Sequence, residues 1–241
     1  MDDERLSLPR RVAMRAWRLH VATVRSRLVR PLDGRQAHAA GRRAVRVLLV
    51  GSGPVVGWGV GSHDLALPGA VARALAAATG RGAVVDVLPH PSAGVRRLRG
   101  LLAHAHVERY DALVISGAVA DAMRLEEPKA FAKRLRELLT YARSRGSGPV
   151  VWLGAQPIRS IRPYDSPAGR IADVHARRLN ALAGEVCRET GALYVGLDAP
   201  GCGRVPAAPH AGRLPRLGPA HRRRARAGAP GTGDAASDRR A

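Results

Sequence analysis

The sequence has few of the residues that disulfide-linked, metal-binding or membrane-spanning proteins need. Cys187 and Cys202 are its two cysteines in 241 residues, and their separation matches no metal-binding pair. No apolar run approaches the roughly 18 residues of a membrane-spanning helix. The chain begins with Asp2, Asp3 and Glu4, where a secretory signal would be basic and then apolar. These features predict a cytoplasmic protein.

Aromatic residues and lysine are also scarce, although the net charge is +21. Aromatic residues are 3% of the chain, and lysine occurs at Lys129 and Lys133 alone. Residues 1–44 carry eleven arginines against four acidic residues, and residues 199–241 carry nine against two. An arginine-rich binder of nucleic acid or of an anionic membrane is therefore one alternative class of function. However, few aromatic side chains are present to stack on bases, and the codon usage of a GC-rich genome explains the arginines equally well. We expect no specific nucleic-acid partner.

Residues 9–29 have the pattern of a basic amphipathic helix. Its apolar side chains recur at spacings of three and four, at Met14, Trp17, Val21, Val24 and Leu28. Two interpretations remain open. The apolar stripe packs on the domain that follows, or the helix makes weak contact with an anionic membrane or partner, as basic amphipathic helices do. Residues 31–41 are predicted to be a linker.

From residue 45 the sequence alternates between strand and helix patterns. Apolar runs predict strands at 45–50, 83–88, 112–116, 149–153 and 192–196, and helical spacing predicts helices at about 65–79, 94–106, 127–145 and 168–190. Near-continuous apolar strands separated by helices of ten or more residues indicate a parallel sheet that is covered on both faces. We therefore predict a doubly wound α/β domain of about five strands.

The last part of the chain has a different composition. Residues 199–241 consist largely of Gly, Pro, Arg and Ala without a period, which is typical of disorder. A helix should cover the sheet after its last strand, and one hypothesis is that a shifted reading frame replaced that helix. The predicted organisation is an amphipathic helix and linker in residues 1–44, the α/β domain in residues 45–198 and a disordered tail in residues 199–241.

Residues 45–61, VRVLLVGSGPVVGWGVG, are the most informative stretch of the sequence. The apolar run ends at a Gly-Ser-Gly-Pro turn, and a helical pattern resumes at Asp64. In open α/β sheets a turn of this kind lies at the carboxyl end of a central strand, where ligands bind. The functional site is therefore expected at this turn.

Taken in order, the turns resemble the sequence blocks of the SGNH, or GDSL-type, hydrolases. Gly51-Ser52-Gly53 corresponds to the family's Gly-Asp-Ser, and Gly57 to the glycine six residues after the first. Ala118-Val119-Ala120-Asp121 corresponds to the third block, Gly-X-Asn-Asp, and the resemblance covers about residues 45–198. It implies a flavodoxin-like three-layer fold. It also implies an esterase or acylhydrolase that cleaves small carboxylic esters with a serine nucleophile, without metal or cofactor.

Several positions depart from the family's blocks. The family serine falls on Gly53, and Ser52 occupies the aspartate position. The oxyanion glycine of the second block falls near Pro91, which has no N–H to donate, and the third-block asparagine falls on Ala120. These departures predict impaired hydrolysis, because the loss of one oxyanion donor costs roughly 10²- to 10³-fold in rate. A non-catalytic protein of the same fold that binds a ligand or partner is the other alternative.

The candidate catalytic residues are Ser52 as a displaced nucleophile, Asp121 and His210, since the family's Asp-X-X-His block should lie in the tail. The candidate oxyanion and substrate pocket consists of Gly51, Gly53, His90 and Ala120. Plainer interpretations remain open for three of these residues. Ser52 is then a turn serine bonded to local backbone, Asp121 a structural partner of backbone N–H groups, and His90 a solvated loop residue.

His63 stands between Ser62 and Asp64 and so suggests a Ser-His-Asp group. Adjacent residues do not face each other as the members of a catalytic triad must. We therefore predict that Ser62 or Asp64 caps a helix and that His63 takes no part in catalysis.

Overall fold

The computed structural model of the chain describes residues 8–197, and within that range one sheet of six strands carries the fold. The strands are β1 (Gln36–Ala39), β2 (Val45–Gly51), β3 (Ala83–Pro89), β4 (Ala112–Ser116), β5 (Val150–Leu153) and β6 (Leu193–Val195). Their order across the sheet is β1-β3-β2-β4-β5-β6. The five strands from β2 onward are parallel to their neighbours, and β1 is antiparallel to β3. Without β1 this is the flavodoxin-like strand order.

Six α-helices lie in the described range, and most begin or end at residues suited to helix termini. They are α1 (Leu8–Ser26), α2 (Leu67–Thr79), α3 (Val95–Ala103), α4 (Ala118–Arg124), α5 (Pro128–Arg145) and α6 (Pro167–Thr190). The Ser166 side chain accepts a hydrogen bond from Gly169 N at the start of α6, and the Glu127 side chain accepts two at the start of α5. Gly80 and Gly191 end α2 and α6 in the left-handed conformation.

The two faces of the sheet are buried in different layers. Along β2, Leu48 and Val50 belong to a core formed with α1, α3, α5 and α6, while Val47 and Leu49 belong to a second core formed with α2. Alternate residues of one strand therefore serve opposite faces, and both faces are apolar. This is why the strands of the sequence appear as continuous apolar runs.

The structure confirms the doubly wound α/β fold, and all five predicted strands are present. The segment 31–41, predicted to be a linker, contains a sixth strand, β1, whose Ala37 is fully buried. Its four residues, Gln-Ala-His-Ala, have neither strand propensity nor length, and the strand exists because it pairs with β3 from Gln36↔Asp86 to Ala39↔Ala83. The short helix α4 was likewise not predicted. The tail of residues 199–241 lies outside the described residues.

The apolar stripe of α1 packs on the domain. Met14 and Trp17 are buried, and Val21 is completely buried. The Trp17 ring contacts the Tyr164 ring edge-on, with a distance of 6.2 Å between the ring centroids. The helix contacts α4, α6 and a short 3₁₀ helix, Arg162–Tyr164. The packing interpretation of the stripe is therefore confirmed. No helix within residues 8–197 combines the length and the apolar character needed to cross a bilayer.

We expect Val21→Ala to lower the free energy of unfolding by about 2 kcal/mol, because it removes two buried methyl groups and leaves a cavity. The matched control is Leu19→Ala on the same helix, where the side chain is 65% exposed and its loss should change stability little. Urea unfolding of both variants measures the difference. Equal effects of the two substitutions would show that α1 does not pack as described.

Candidate active site

The order of the parallel strands places a crevice between the carboxyl ends of β2 and β4. The chain passes from β2 to β3 on one side and then crosses to β4 on the other, so the loops that follow β2 and β4 diverge. Ligands of open α/β sheets bind at such a point. A cavity of about 290 Å³ lies here, at the lower end of the volumes of small-molecule sites.

Most of the cavity wall is apolar. The turn after β2 contributes Ser52, Gly53 and Pro54, the loop after β3 contributes Pro91, and helix α4 contributes Val119 and Ala120. The remaining lining residues come from the segment after α1, from the segment before α2 and the first residue of α2, and from the loop after β5. They are Leu28, Gly57, Trp58, Val60, Ala66, Leu67, Gln156, Ile161, Pro163 and Tyr164. Such a lining suits a small apolar ligand that carries few polar atoms.

Gly51 holds the turn against the neighbouring strands and does not line the cavity. Its φ is 134°, and a Cβ at this position would collide with the Ser116 carbonyl oxygen. The next N–H, that of Ser52, donates to the same oxygen at 2.8 Å, and His90 N donates to Gly51 O at 2.8 Å. A glycine is required here because the turn passes so close to β4.

Ser52 is 2% exposed and lies at the cavity wall. Its Oγ donates a hydrogen bond of 2.7 Å to the carbonyl oxygen of Ala93. A main-chain carbonyl is not a general base, and no histidine or carboxylate of the described residues is bonded to this hydroxyl. Ser52 therefore stands where a nucleophile would be needed, but the described part of the chain supplies no base to activate it.

Gly53, the position of the family serine, lines the cavity beside Ser52 and has a φ of 65°. A Cβ built on it would lie 3.9 Å from Val119 Cγ2, which is ordinary contact. Space is therefore available for a side chain, and the left-handed backbone is what disfavours one. Gly53 also begins a 3₁₀ helix, Gly53–Val56, so its N–H has no partner inside that helix.

Pro91 and Ala120 both line the cavity. The resemblance aligns these two positions with hydrogen-bond donors of the family. Pro91 has no N–H, and the N–H of Ala120 donates to Gly117 O at 3.0 Å within its own turn. Neither residue can therefore donate to a ligand, and this part of the wall cannot stabilise an oxyanion.

Asp121 faces helix α3 and not the cavity. Its Oδ2 accepts a hydrogen bond of 2.8 Å from Val95 N, the first N–H of that helix, and the residue is 2% exposed. Burial raises the pKa of the carboxyl to about 6, against the Val95 hydrogen bond and the charges of Arg124 and Arg134. The geometry matches the structural interpretation of Asp121, which holds α3 against α4.

The candidate histidine of the described residues, His90, lies away from the cavity wall. His90 Nδ1 accepts a hydrogen bond of 3.2 Å from Ser92 N, so the ring contacts its own loop. His210 lies outside the described residues. The Ser62 side chain accepts a hydrogen bond from Leu65 N, so the predicted capping role of Ser62 is confirmed.

His63 is buried and pairs with Asp33, a residue that no motif or spacing connects with it. Its Nδ1 lies 2.7 Å from Asp33 Oδ1, and its backbone N–H donates to Asp33 Oδ2 at 2.8 Å. Asp33 lies in the segment predicted to be a linker. The pair joins that segment to the turn before α2, and neither residue lines the cavity.

Two polar residues of the cavity were not found by sequence reasoning. Gln156 and Tyr164 lie in the long loop after β5, and no block or spacing in the sequence marks either one. Within residues 8–197, no three His, Cys, Asp or Glu side chains come together as a metal site would require.

The strand order defines a flavodoxin-like α/β protein with a cavity at the end of β2. The model of the GDSL-like lipase/acylhydrolase family matches residues 50–222, and the chain belongs to that family. The match includes the stretch that carries His210. None of the curated proteins matches the chain.

Solved structures with a similar fold include esterases. AlinE4, an SGNH-hydrolase family esterase, is 14% identical with a TM-score of 0.50 over 65% of this chain and 77% of its own. TesA is 20% identical, with a TM-score of 0.46 over 62% and 76%. Axe2, an acetylxylan esterase from Geobacillus stearothermophilus, is 16% identical, with a TM-score of 0.45 over 64% and 76%. At such identities the likeness shows the fold alone.

Asp121→Asn should make the stability of the protein less dependent on pH between about 4 and 7. The carboxyl pKa is about 6 in the folded protein against its ordinary value of 3.8, a difference worth on the order of 3 kcal/mol. The favourable contribution of the Asp121 carboxyl to the stability of the folded protein is complete below pH 3.8. It is lost as pH rises through about 6, where the folded protein must hold a buried carboxylate. Asparagine can still accept from Val95 N and does not ionise.

Urea midpoints of the wild type and the variant at both ends of this pH range measure the effect. The wild type should lose more stability on going to neutral pH than the variant does. An identical pH dependence of the two proteins would contradict the raised pKa of Asp121.

Proposed function

We propose that this chain is a serine ester hydrolase of low activity that cleaves small carboxylic esters, with Ser52 as its nucleophile. The observation that carries the proposal is the position of the Ser52 hydroxyl at the wall of a 290 Å³ apolar cavity in a chain of the lipase/acylhydrolase family. The size and the apolar lining of the cavity support a small ester. Membership of the family supports acyl transfer to a serine.

The reaction would follow the usual two steps of serine esterases. The Ser52 oxygen attacks the ester carbonyl carbon, its proton leaves with the alcohol, and water then releases the acid. The Gly53 N–H is the donor best placed for the developing oxyanion, because it begins a helix beside Ser52 and has no partner within it.

Two features account for the low activity. The Ser52 proton is directed at the Ala93 carbonyl and not at a base, and a general base is worth roughly 10²- to 10⁴-fold. The walls at Pro91 and Ala120 offer no donors, and each such donor is worth roughly 10²- to 10³-fold.

A second candidate function is binding without hydrolysis. The hydrogen bond from Ser52 to Ala93 O favours it, because this bond holds the hydroxyl in a purely structural role. The cavity would then bind a small carbonyl compound or a segment of a partner protein. The two candidates differ in whether Ser52 ever forms an acyl-enzyme.

The purified protein should hydrolyse a short-chain p-nitrophenyl ester slowly but measurably above buffer, and Ser52→Ala should remove that rate. Ser116→Ala is the matched control, since Ser116 is a buried serine on the adjacent strand that does not line the cavity. A fluorophosphonate probe followed by mass spectrometry should label Ser52. A wild-type rate equal to that of buffer, with no label, would establish the binding function instead.

Gly53→Ser combined with Ala120→Asn should raise the ester-hydrolysis rate only slightly. The serine has room beside Val119, but the left-handed backbone costs roughly 1–2 kcal/mol and no base of the described residues reaches it. The double variant should also melt at a lower temperature than Ala120→Asn alone. A gain of several orders of magnitude would show that a base is available in the folded protein.

A further inference from the structure

We propose that the side-chain amide of Gln156 binds the carbonyl oxygen of the ligand in this cavity. It would replace the amide donor that is missing at Ala120. The inference rests on the proposed function only in taking a carbonyl compound as the ligand, and it applies equally to hydrolysis and to binding alone.

The polar groups of the cavity identify Gln156 as its free amide. Ser52, Gln156 and Tyr164 are the lining residues that carry a hydroxyl or an amide on the side chain. The Ser52 proton is already donated to Ala93 O, so this hydroxyl can only accept from a ligand. The Gln156 side chain makes no hydrogen bond with the rest of residues 8–197, so its two N–H donors are available.

The backbone on both sides of Gln156 is fixed by helix α6. Asn180 Oδ1 accepts from Ala155 N, and Asn180 Nδ2 donates to Ala155 O, both at 2.8 Å. Two residues after the glutamine, Ile158 N donates to Asp173 Oδ1 at 2.7 Å. The loop therefore holds Gln156 at the cavity without support from the amide itself. Such preorganisation lowers the entropic cost of binding.

The surroundings of the amide give it selectivity. Other residues of the same cavity wall include Ala120, Ile161 and Pro163, whose side chains cannot accept a hydrogen bond. A ligand with a carbonyl oxygen pairs with the amide, whereas an apolar ligand of the same shape displaces water and leaves the amide unpaired. The site should therefore prefer carbonyl compounds to apolar compounds of equal size.

The preference can be measured without any hydrolysis. Cyclohexanone and chlorocyclohexane have similar shapes, but only the ketone accepts hydrogen bonds well. Titrations of the full-length protein, followed by NMR or by tryptophan fluorescence since Trp58 lines the cavity, give a dissociation constant for each. The ratio of the two constants is the readout.

We expect the wild type to prefer the ketone, and Gln156→Leu to reduce the preference by roughly 3- to 10-fold, as the loss of one neutral hydrogen bond should. Binding of chlorocyclohexane should be unimpaired or tighter in this variant, because no amide is then left unpaired. Gln156→Glu, which keeps the shape but loses the N–H donors, should lose the preference as well. Tyr164→Phe is the control and should retain it.

An unchanged preference in Gln156→Leu, or a preference lost in Tyr164→Phe alone, would overturn the assignment of Gln156. Failure of the wild type to bind either compound would overturn it too. A protein that lacks esterase activity but shows the Gln156-dependent ketone preference would support this inference and reject only the hydrolytic form of the proposed function.

Discussion

The close approach of the turn after β2 to the end of β4 is the contact on which the site depends. Gly51 lies against the Ser116 carbonyl oxygen so tightly that no Cβ fits, and Ser52 N donates to that same oxygen. A further hydrogen bond ties Gly51 O to the loop after β3. The turn is therefore held by both neighbouring strands, and this fixes Ser52 and Gly53 at the edge of the cavity.

Binding and catalysis make different demands on such a cavity, and this chain meets the first better than the second. A concave apolar wall is enough to bind a small ligand, whereas acyl transfer also needs donors aimed at the oxyanion and a base for the nucleophile. Gly53, Pro91 and Ala120 occupy positions where the family has a serine and two donors. The described residues therefore provide an apolar cavity, whereas acyl transfer would also require a base and further donors.

The loops around the cavity are held in place by buried and half-buried polar side chains that do not line it. Asp121 caps α3 through Val95 N, and Asp173 and Asn180 of α6 bind the loop after β5. Each of these side chains satisfies backbone groups that would otherwise be unpaired at the end of a helix or in a loop. The cavity therefore has stable walls even where its lining side chains make few polar contacts with each other.

The fold could be predicted from the sequence, because the strands of a parallel sheet and the helices that cover it leave periodic patterns in their own residues. The location of the cavity could also be predicted, since a Gly-rich turn after an apolar strand has one place in such a sheet. Strand β1 left no pattern, because it exists only through its pairing with β3. Only the tertiary structure shows the direction of the Ser52 hydroxyl, the Asp33–His63 pair and the position of Gln156 at the cavity wall. Each depends on a contact between residues 25 or more positions apart, and such contacts leave no local signal in the sequence.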